Sequence, residues 1–375
     1  MKPRVLRILH VTAGNLFGGV ERMILAIVAA QEADCAHDVA VSFDARLAFE
    51  LRASGAVPEI LGNVRFRRPD LVWQARRALD RVLAAGRHDA VICHAPWSGV
   101  LAAPVARRAG RTLMLWAHDA PQPDAWPERK MTRTAPDRVI CNSRHTAEAV
   151  ARWLPGVPRD VVHPPVLAAP VVPAAERRLL RAELGATDDT TVILLASRLE
   201  EWKGQRVLLR AAEGLRGNVS VWIAGGPQRP EEAGYFDELS RMASSAAVSG
   251  RVRLLGQRSD VPRLMAAADI YCQPNTAPEP FGIAFVEALA AGVPVVTTAA
   301  GGALEIVTER CGVLVREASP ALVADALQSL IDAPARRAEL SQEGPAQARH
   351  ISDPRARLAD IAELVRAQVD RTSAA

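Results

Sequence analysis

The sequence predicts an α/β protein of two doubly wound domains, each built on a parallel sheet. Three observations carry that expectation. Short β-branched runs alternate with amphipathic stretches from one end of the 375 residues to the other. Several of these runs are continuously apolar, which is how parallel strands buried on both faces read. The whole pattern occurs twice, on either side of a proline-rich break. At roughly 100–200 residues per domain, the length also favours two domains.

In the first half the strand candidates are Val5–Val11, His37–Phe43, Asp89–Cys93, Thr112–Ala117, Arg138–Cys141 and Asp160–His163. Between them Val20–Gln31, Leu71–Leu83, Gly99–Arg108 and Arg144–Trp153 carry apolar residues at helical spacing. The stretch from His163 to Pro173 then places four prolines in 11 residues. It can be neither helix nor central strand, so the first domain is expected over 1–170 and the second from Ala174. In the second half Val192–Ala196, Val219–Ala224, Val252–Leu255, Ile270–Gln273, Val293–Thr298 and Gly312–Val315 read as strands with helices between. That domain is expected over 174–354. The tail 355–375 follows a break at Asp353-Pro354 and reads as a helix. It either caps its own domain or crosses back to the first.

Composition excludes several function classes. The chain is 49% apolar and 23% charged, with mean hydropathy +0.04. No apolar run reaches the roughly 18 residues of a spanning helix, so an integral membrane protein is not expected. Met1-Lys2-Pro3-Arg4 leads straight into a strand without a small-residue cleavage site, which favours the cytoplasm. Cys35, Cys93, Cys141, Cys272 and Cys311 are odd in number and far apart, so neither a disulfide framework nor a thiolate zinc site is expected. Residues 1–170 hold 23 Lys and Arg against 16 Asp and Glu, a net of +7. The remaining 23 cations face 26 carboxylates, a net of −3. A basic first domain suggests an anionic partner, including the inner face of a membrane. Aromatic residues are only 4% and interleave with no basic block, so nucleic acid is not expected.

Three segments carry candidate chemistry. Gly14-Asn15-Leu16-Phe17-Gly18-Gly19-Val20-Glu21 follows the first strand and opens the first helix. Its glycines allow close backbone approach and the free amides at the helix start favour an anion, although a plain tight turn would read the same way. Ser197-Arg198-Leu199-Glu200-Glu201-Trp202-Lys203-Gly204 sits at the carboxyl end of a strand, and its two cations suit a diphosphate as well as they suit a solvated loop. Only Lys2, Lys130 and Lys203 are lysines in this arginine-rich chain.

The third segment is the most informative. Pro278-Glu279-Pro280-Phe281-Gly282 leads into an apolar helix with Gly292 as its stop and Pro294 beyond. Glu287 lies on that helix among Ala, Leu, Ile, Phe and Val, where a carboxylate is costly to bury without a partner, so a role for it is expected. At about 1.5 Å per residue Glu279 and Glu287 would be about 10 Å apart. That suits two ends of one extended ligand better than a glycosidase pair, which needs roughly 5–9.5 Å.

The Glu279–Glu287 spacing, with Glu279-Pro280-Phe281-Gly282 at its head, resembles the retaining glycosyltransferases of family 4. Gly18-Gly19-Val20-Glu21-Arg22, Ile140-Cys141-Asn142-Ser143, Arg198 with Lys203-Gly204, Ala224-Gly225-Gly226-Pro227, Leu255-Gly256, Gly301-Gly302 with Glu305, and Gly312 fall in that family's order. The resemblance implies the GT-B fold, two Rossmann-like domains facing an interdomain cleft. It also implies roles by position. Arg198 and Lys203 would hold the diphosphate and stabilise the leaving group, and Gly18 and Gly19 would serve the same phosphates. Glu279 would contact the donor sugar, as would His118 in Trp116-Ala117-His118-Asp119. Glu287 would hold the ribose, the amides of Phe281, Gly282, Ile283 and Ala284 the sugar hydroxyls and phosphate, and the backbone at Gly256-Gln257-Arg258 the base.

Departures from the pattern are Asn275, where many relatives carry Ser, and His163-Pro164-Pro165, which lacks the usual Gly. His94-Ala95-Pro96-Trp97 and Asp124-Ala125-Trp126 read as acceptor-binding loops or as ordinary loop packing. The remaining histidines, His10 among them, are scattered without ligand spacing. The resemblance implies neither a metal nor another cofactor, and consistently no Asp-x-Asp pair is present. The expected function is retaining, metal-independent transfer of a sugar from a UDP- or GDP-sugar to a glycan or lipid-linked acceptor, in bacterial cell-surface glycan assembly. A nucleotide-sugar epimerase and an inactive donor-binding subunit are the alternatives.

Overall fold

A computed structural model describes residues 4–86, 88–167 and 172–374. The chain forms two compact units, Met1–Val166 together with Ser352–Ala375, and Leu167–Ile351. Of the proline-rich stretch, Ala168, Ala169, Pro170 and Val171 lie outside the described residues, as do Met1, Lys2 and Pro3 at the amino end.

The first unit carries β1 (Leu6–Thr12), β2 (Cys35–Val41), β3 (Glu59–Ile60), β4 (Ala90–Cys93), β5 (Thr112–Ala117), β6 (Arg138–Cys141) and β7 (Arg159–Val161). They pair in parallel in the order β3-β2-β1-β4-β5-β6-β7. The order reverses between β1 and β4, the switch point at which open α/β sheets bind ligands. Strand β3 is two exposed residues, too short to leave a periodicity in the sequence.

Side chains alternate across each strand, so one residue parity goes to each face of the sheet. Leu9, Val11, Ala40, Val91, Cys93, Leu113, Leu115, Ala117, Val139 and Cys141 form one core with the helices Pro69–Gly86 and Pro96–Arg108. The opposite parity faces the helix Gly19–Ala30 and the carboxyl-terminal helix Pro354–Ala374, which pack against each other.

The tail therefore crosses back to the first unit. Leu358, Ile361, Ala362 and Val365 are all buried, and their i, i+3, i+4, i+7 spacing makes one apolar stripe. Each large aliphatic side chain buried this way contributes about 1.5–3 kcal/mol. Arg138 donates from Nε to Gln368 Oε1 at 3.1 Å, and Arg366 pairs with Asp34 at 2.7 Å. The returning segment 352–375 adds four cations and four carboxylates, so the first unit keeps its net +7 and the second its −3.

The second unit carries β8 (Thr191–Ala196), β9 (Val219–Ala224), β10 (Val252–Gly256), β11 (Ile270–Gln273), β12 (Val295–Thr298) and β13 (Gly312–Val315). They are parallel in the order β10-β9-β8-β11-β12-β13, with the switch point between β8 and β11. Arg181 is 1% exposed here, yet its guanidinium is matched by Asp269 Oδ2 at 3.1 Å and the carbonyls of Ala267 and Thr187 at 2.8 and 3.0 Å. This pins the helix Ala174–Glu183 to the start of β11. Among the described residues, no helix is long and apolar enough to cross a membrane.

Candidate active site

Three loops leave the carboxyl ends of β8, β11 and β12 in the second unit, and glycines bring them together. Gly204 has φ +80°, and a Cβ there would lie 2.0 Å from the Pro274 carbonyl oxygen. Only glycine lets the turn after β8 lie on the loop after β11, where Thr276 N donates to Trp202 O at 2.8 Å. Gly301 has φ +65°, and its Cβ would lie 2.2 Å from the Glu279 carbonyl oxygen. There the loop after β12 bridges Glu279 in parallel, with Gly302 N donating to Glu279 O at 2.7 Å.

These approaches place Lys203 against Glu279, 76 residues further along the chain. The ammonium Nζ donates to Oε2 at 2.9 Å and Oε1 at 3.2 Å, and lies 3.8 Å from the centre of the Trp202 ring. Glu279 is 6% exposed, and burying a carboxylate is costly unless it is fully paired. Oε2 takes two further donors, Asn275 Nδ2 at 2.8 Å and Gln273 Nε2 at 3.0 Å. Gln273 also donates to Asn275 Oδ1 at 2.9 Å and accepts from the Tyr271 hydroxyl at 2.8 Å. The buried Tyr271 hydroxyl is pushed well above its ordinary pKa, first by burial and then by the Glu279 and Glu287 carboxylates. It therefore stays a donor. Among the described residues Oε1 receives only Lys203, so it keeps acceptor capacity for a ligand hydroxyl.

Asn275, a departure from the family pattern, is thus part of the cradle that orients Glu279. Gln273 and Tyr271 were not singled out from the sequence. The available signal was a buried amide ending an otherwise apolar strand, and a buried polar group implies a partner.

The other candidates in this unit fall around the same edge of the sheet. Gly282, at φ +111°, caps the helix Ile283–Ala290, so the amides of Ile283 and Ala284 open that helix and Phe281 is buried just before it. Glu287 is half-buried on the helix. Gly292 has φ +71° and ends it as the sequence indicates. The separation of about 10 Å for the two glutamates assumed helical rise throughout, at about 1.5 Å per residue. The helix in fact begins at Ile283, and Glu279 lies in bridged extended backbone, so that estimate does not apply. Arg198 pairs with Glu200 at 3.1 Å and stays accessible. Gly256 ends β10 at φ +63°, and Arg258 is held bidentate by Asp260 at 2.8 and 2.7 Å. Its fork is thereby committed to Asp260.

Gly18, Gly19 and His118 belong to the first unit. The Gly18 amide donates to Glu21 Oε2 at 2.9 Å in a helix cap, and Gly19 opens the helix. His118 follows β5 and is half-buried; its carbonyl accepts from Asn142 Nδ2 at 2.8 Å. His10 and His37, set aside as scattered, are not independent of the candidates His94 and His118. His118, His94, His10 and His37 are joined ring to ring at 2.9 Å. Parallel register unites them although they are 24 to 84 residues apart. Among the described residues, no group of side chains could hold a metal ion.

Known proteins share this fold. Residues 17–166 match the model described as Glycosyltransferase Family 4, and residues 176–347 that of Glycosyl transferases group 1. The chain is 30% identical over 309 residues to D-inositol 3-phosphate glycosyltransferase 1 of Catenulispora acidiphila, covering 75% of this chain and 70% of that one. It is 35% identical over 210 residues to the D-inositol 3-phosphate glycosyltransferase of Mycolicibacterium vanbaalenii, covering 52% and 45%. The chain thus spans about half the length of some of the curated relatives it matches. The crystal structure of Anabaena Alr3699/HepE in complex with UDP and glucose superposes with a TM-score of 0.85 at 26% identity, covering 96% of this chain and 100% of that one. WaaG, a glycosyltransferase involved in lipopolysaccharide biosynthesis, shares the fold with a TM-score of 0.68 at 17% identity, covering 96% and 99%. With two parallel-sheet units and both family models matched in chain order, the chain has the GT-B fold and belongs to glycosyltransferase family 4.

Proposed function

We propose that the protein transfers a sugar from a nucleoside diphosphate sugar, UDP- or GDP-linked, to an acceptor hydroxyl with retention and without a metal. The observation that carries this reading is the Lys203–Glu279 cluster. It sets a buried carboxylate, paired on both oxygens but with acceptor capacity left on Oε1, beside a cation at the switch point of the second sheet. Glu279 Oε1 would accept a hydroxyl of the transferred sugar. Lys203 and Arg198 would face the diphosphate, with the first amides of the helix Ile283–Ala290 behind it. Glu287 would hold the ribose, Gly256 and Arg258 the base through their backbone, and His118 would contact the sugar. In the reaction the bond from the anomeric carbon to the β-phosphate oxygen breaks, and the acceptor oxygen bonds on the same face. The acceptor proton leaves with the departing phosphate. The developing negative charge is what Lys203 and Arg198 stabilise.

The Anabaena structure with UDP and glucose supports a uridine donor as the first to try. Calorimetry against UDP, GDP, ADP, CMP and dTDP is expected to single out one nucleotide. At 100 times its Kd, that nucleotide stabilises the protein by about 2.7 kcal/mol. The product formed from an α-linked sugar nucleotide should carry an α linkage by NMR, and a chelator should leave turnover unchanged. Binding of none of the five, or an inverted product, would overturn the reading.

The net +7 of the first unit supports a glycan or lipid-linked acceptor presented at an anionic surface. Co-sedimentation with phosphatidylglycerol vesicles is expected to exceed that with phosphatidylcholine and to fall with salt. Equal partition between the two sinks this part of the proposal.

A further inference from the structure

The first unit contains a buried hydrogen-bonded chain of four imidazoles ending on a thiol. His118 Nε2 meets His94 Nδ1, His94 Nε2 meets His10 Nδ1, and His10 Nε2 meets His37 Nδ1, each at 2.9 Å. His37 Nε2 then meets Cys35 Sγ at 3.4 Å. Strand parity builds it, because Cys35 and His37 on β2, His10 on β1, His94 after β4 and His118 after β5 all have the parity opposite to the Leu9–Val11 core. The rings of His94 and His118 lie within 5° of parallel, and Trp116 stacks on both. His10, His37 and His94 are nearly inaccessible, at 0%, 4% and 4% exposure. Every ring nitrogen in the chain has a partner except Nδ1 of His118, among the described residues.

A neutral imidazole has one donor and one acceptor nitrogen, so the tautomer of each ring dictates that of the next. Burial keeps these rings neutral, and it pushes the Cys35 thiol up to about 11, so the S–H stays in place. Only two arrangements leave no pair of N–H groups or lone pairs facing each other. In one, His118 donates from Nε2 and every ring passes its proton toward sulfur, ending in an N–H on a weak sulfur acceptor. In the other, the S–H donates to the strong lone pair of His37 Nε2, each ring donates toward His118, and His118 is left with its proton on Nδ1. The second makes the better terminal hydrogen bond.

We propose that this chain fixes His118 as an Nδ1–H donor at its open end, with His94, His10, His37 and Cys35 as its positioning residues. The inference rests on the reading of His118 as a sugar contact, for which a fixed donor selects an oxygen acceptor. Its control point, Cys35, lies at the far end of the chain. There a cavity of about 560 Å³ is lined by Cys35, His37 and the returning helix at Leu358, Ala362 and Arg366.

Two-bond proton–nitrogen correlation spectra of the full-length protein, labelled with ¹⁵N-histidine, test this without any assay of turnover. In the wild type His118 should show a protonated Nδ1 and an unprotonated Nε2. Cys35→Ser keeps a donor and should preserve that signature. Cys35→Ala removes it, and both His118 nitrogens should move to shifts between the two tautomers. At unchanged nucleotide affinity, kcat should fall about 2- to 10-fold in Cys35→Ala and recover in Cys35→Ser, the range set by one hydrogen bond. A wild-type His118 protonated on Nε2, or Cys35→Ala shifts identical to wild type, would overturn the proposal. Failure to bind any nucleotide beside the expected His118 signature would count against the proposed function alone.

Discussion

Lys203→Ala is expected to lower kcat/KM by about 10² to 10³, the scale on which one preorganised charge-stabilising group contributes to a transition state. Lys203 is 14% exposed at its side chain, so its charge is only weakly screened. It donates to both oxygens of Glu279, and it is one of three lysines in a chain with 46 cations. Lys203→Arg is not a conservative change here, because a longer planar fork would replace a compact ammonium that donates to both Glu279 oxygens over the Trp202 ring. The stability cost should be smaller than for an isolated buried pair. Stranding a charge costs about 3–5 kcal/mol, but Glu279 keeps Gln273 and Asn275, so about 1–3 kcal/mol is expected in denaturant melts. The double variant with Glu279→Gln should recover part of that stability and none of the activity. A Lys203→Ala protein within threefold of wild-type kcat/KM would remove Lys203 from the reaction.

How far the site could be read from the sequence follows from how local each part is. The helix stop at Gly292, the paired glycines at 301 and 302 and the apolar strands β8 and β11 are local signals, and they sit where the sequence indicates. The Lys203–Glu279 pair is not local. Each residue was legible as a candidate, but their meeting depends on Gly204 lying against Pro274, an approach between loops that no spacing encodes. The tail helix shows a third case. Its stripe of Leu358, Ile361, Ala362 and Val365 was visible, whereas its partner was open until Arg138 and Asp34 of the first unit supplied one. The histidine chain was the least legible part. Four rings, two on strands and two just past strand ends, look scattered in one dimension, and only parallel register turns equal parity into contact.

That chain makes the first unit acid-labile, the second large effect expected. His10 and His94 are held well below the ordinary histidine pKa by burial, and His37 is lowered to about 4 by burial first. A histidine with a depressed folded pKa takes up its proton more readily when unfolded, so its contribution is complete above about pH 6.5 and declines as pH falls toward the folded value. Each such ring removes about 1.4 kcal/mol between pH 7.5 and 5.5, so the three buried rings together remove about 4 kcal/mol. Asp38 acts in a separate window. Its carboxyl is lowered to about 2, chiefly by the hydrogen bond from His88 and then by Arg7, so its contribution is present above about pH 3.8 and lost between there and 2. The second unit is an internal control, because seven of the eight histidines belong to the first and only His350 to the second. Hydrogen exchange, corrected for its intrinsic pH dependence, should show β1 and β4 amides losing protection from pH 7.5 to 5.5 while β8 and β11 amides hold theirs. His37→Gln should reduce that loss by about 1.4 kcal/mol whatever its effect on stability at neutral pH. Parallel losses in both units would mean that the imidazoles are protonated in the fold, and the chain of neutral rings would then not exist.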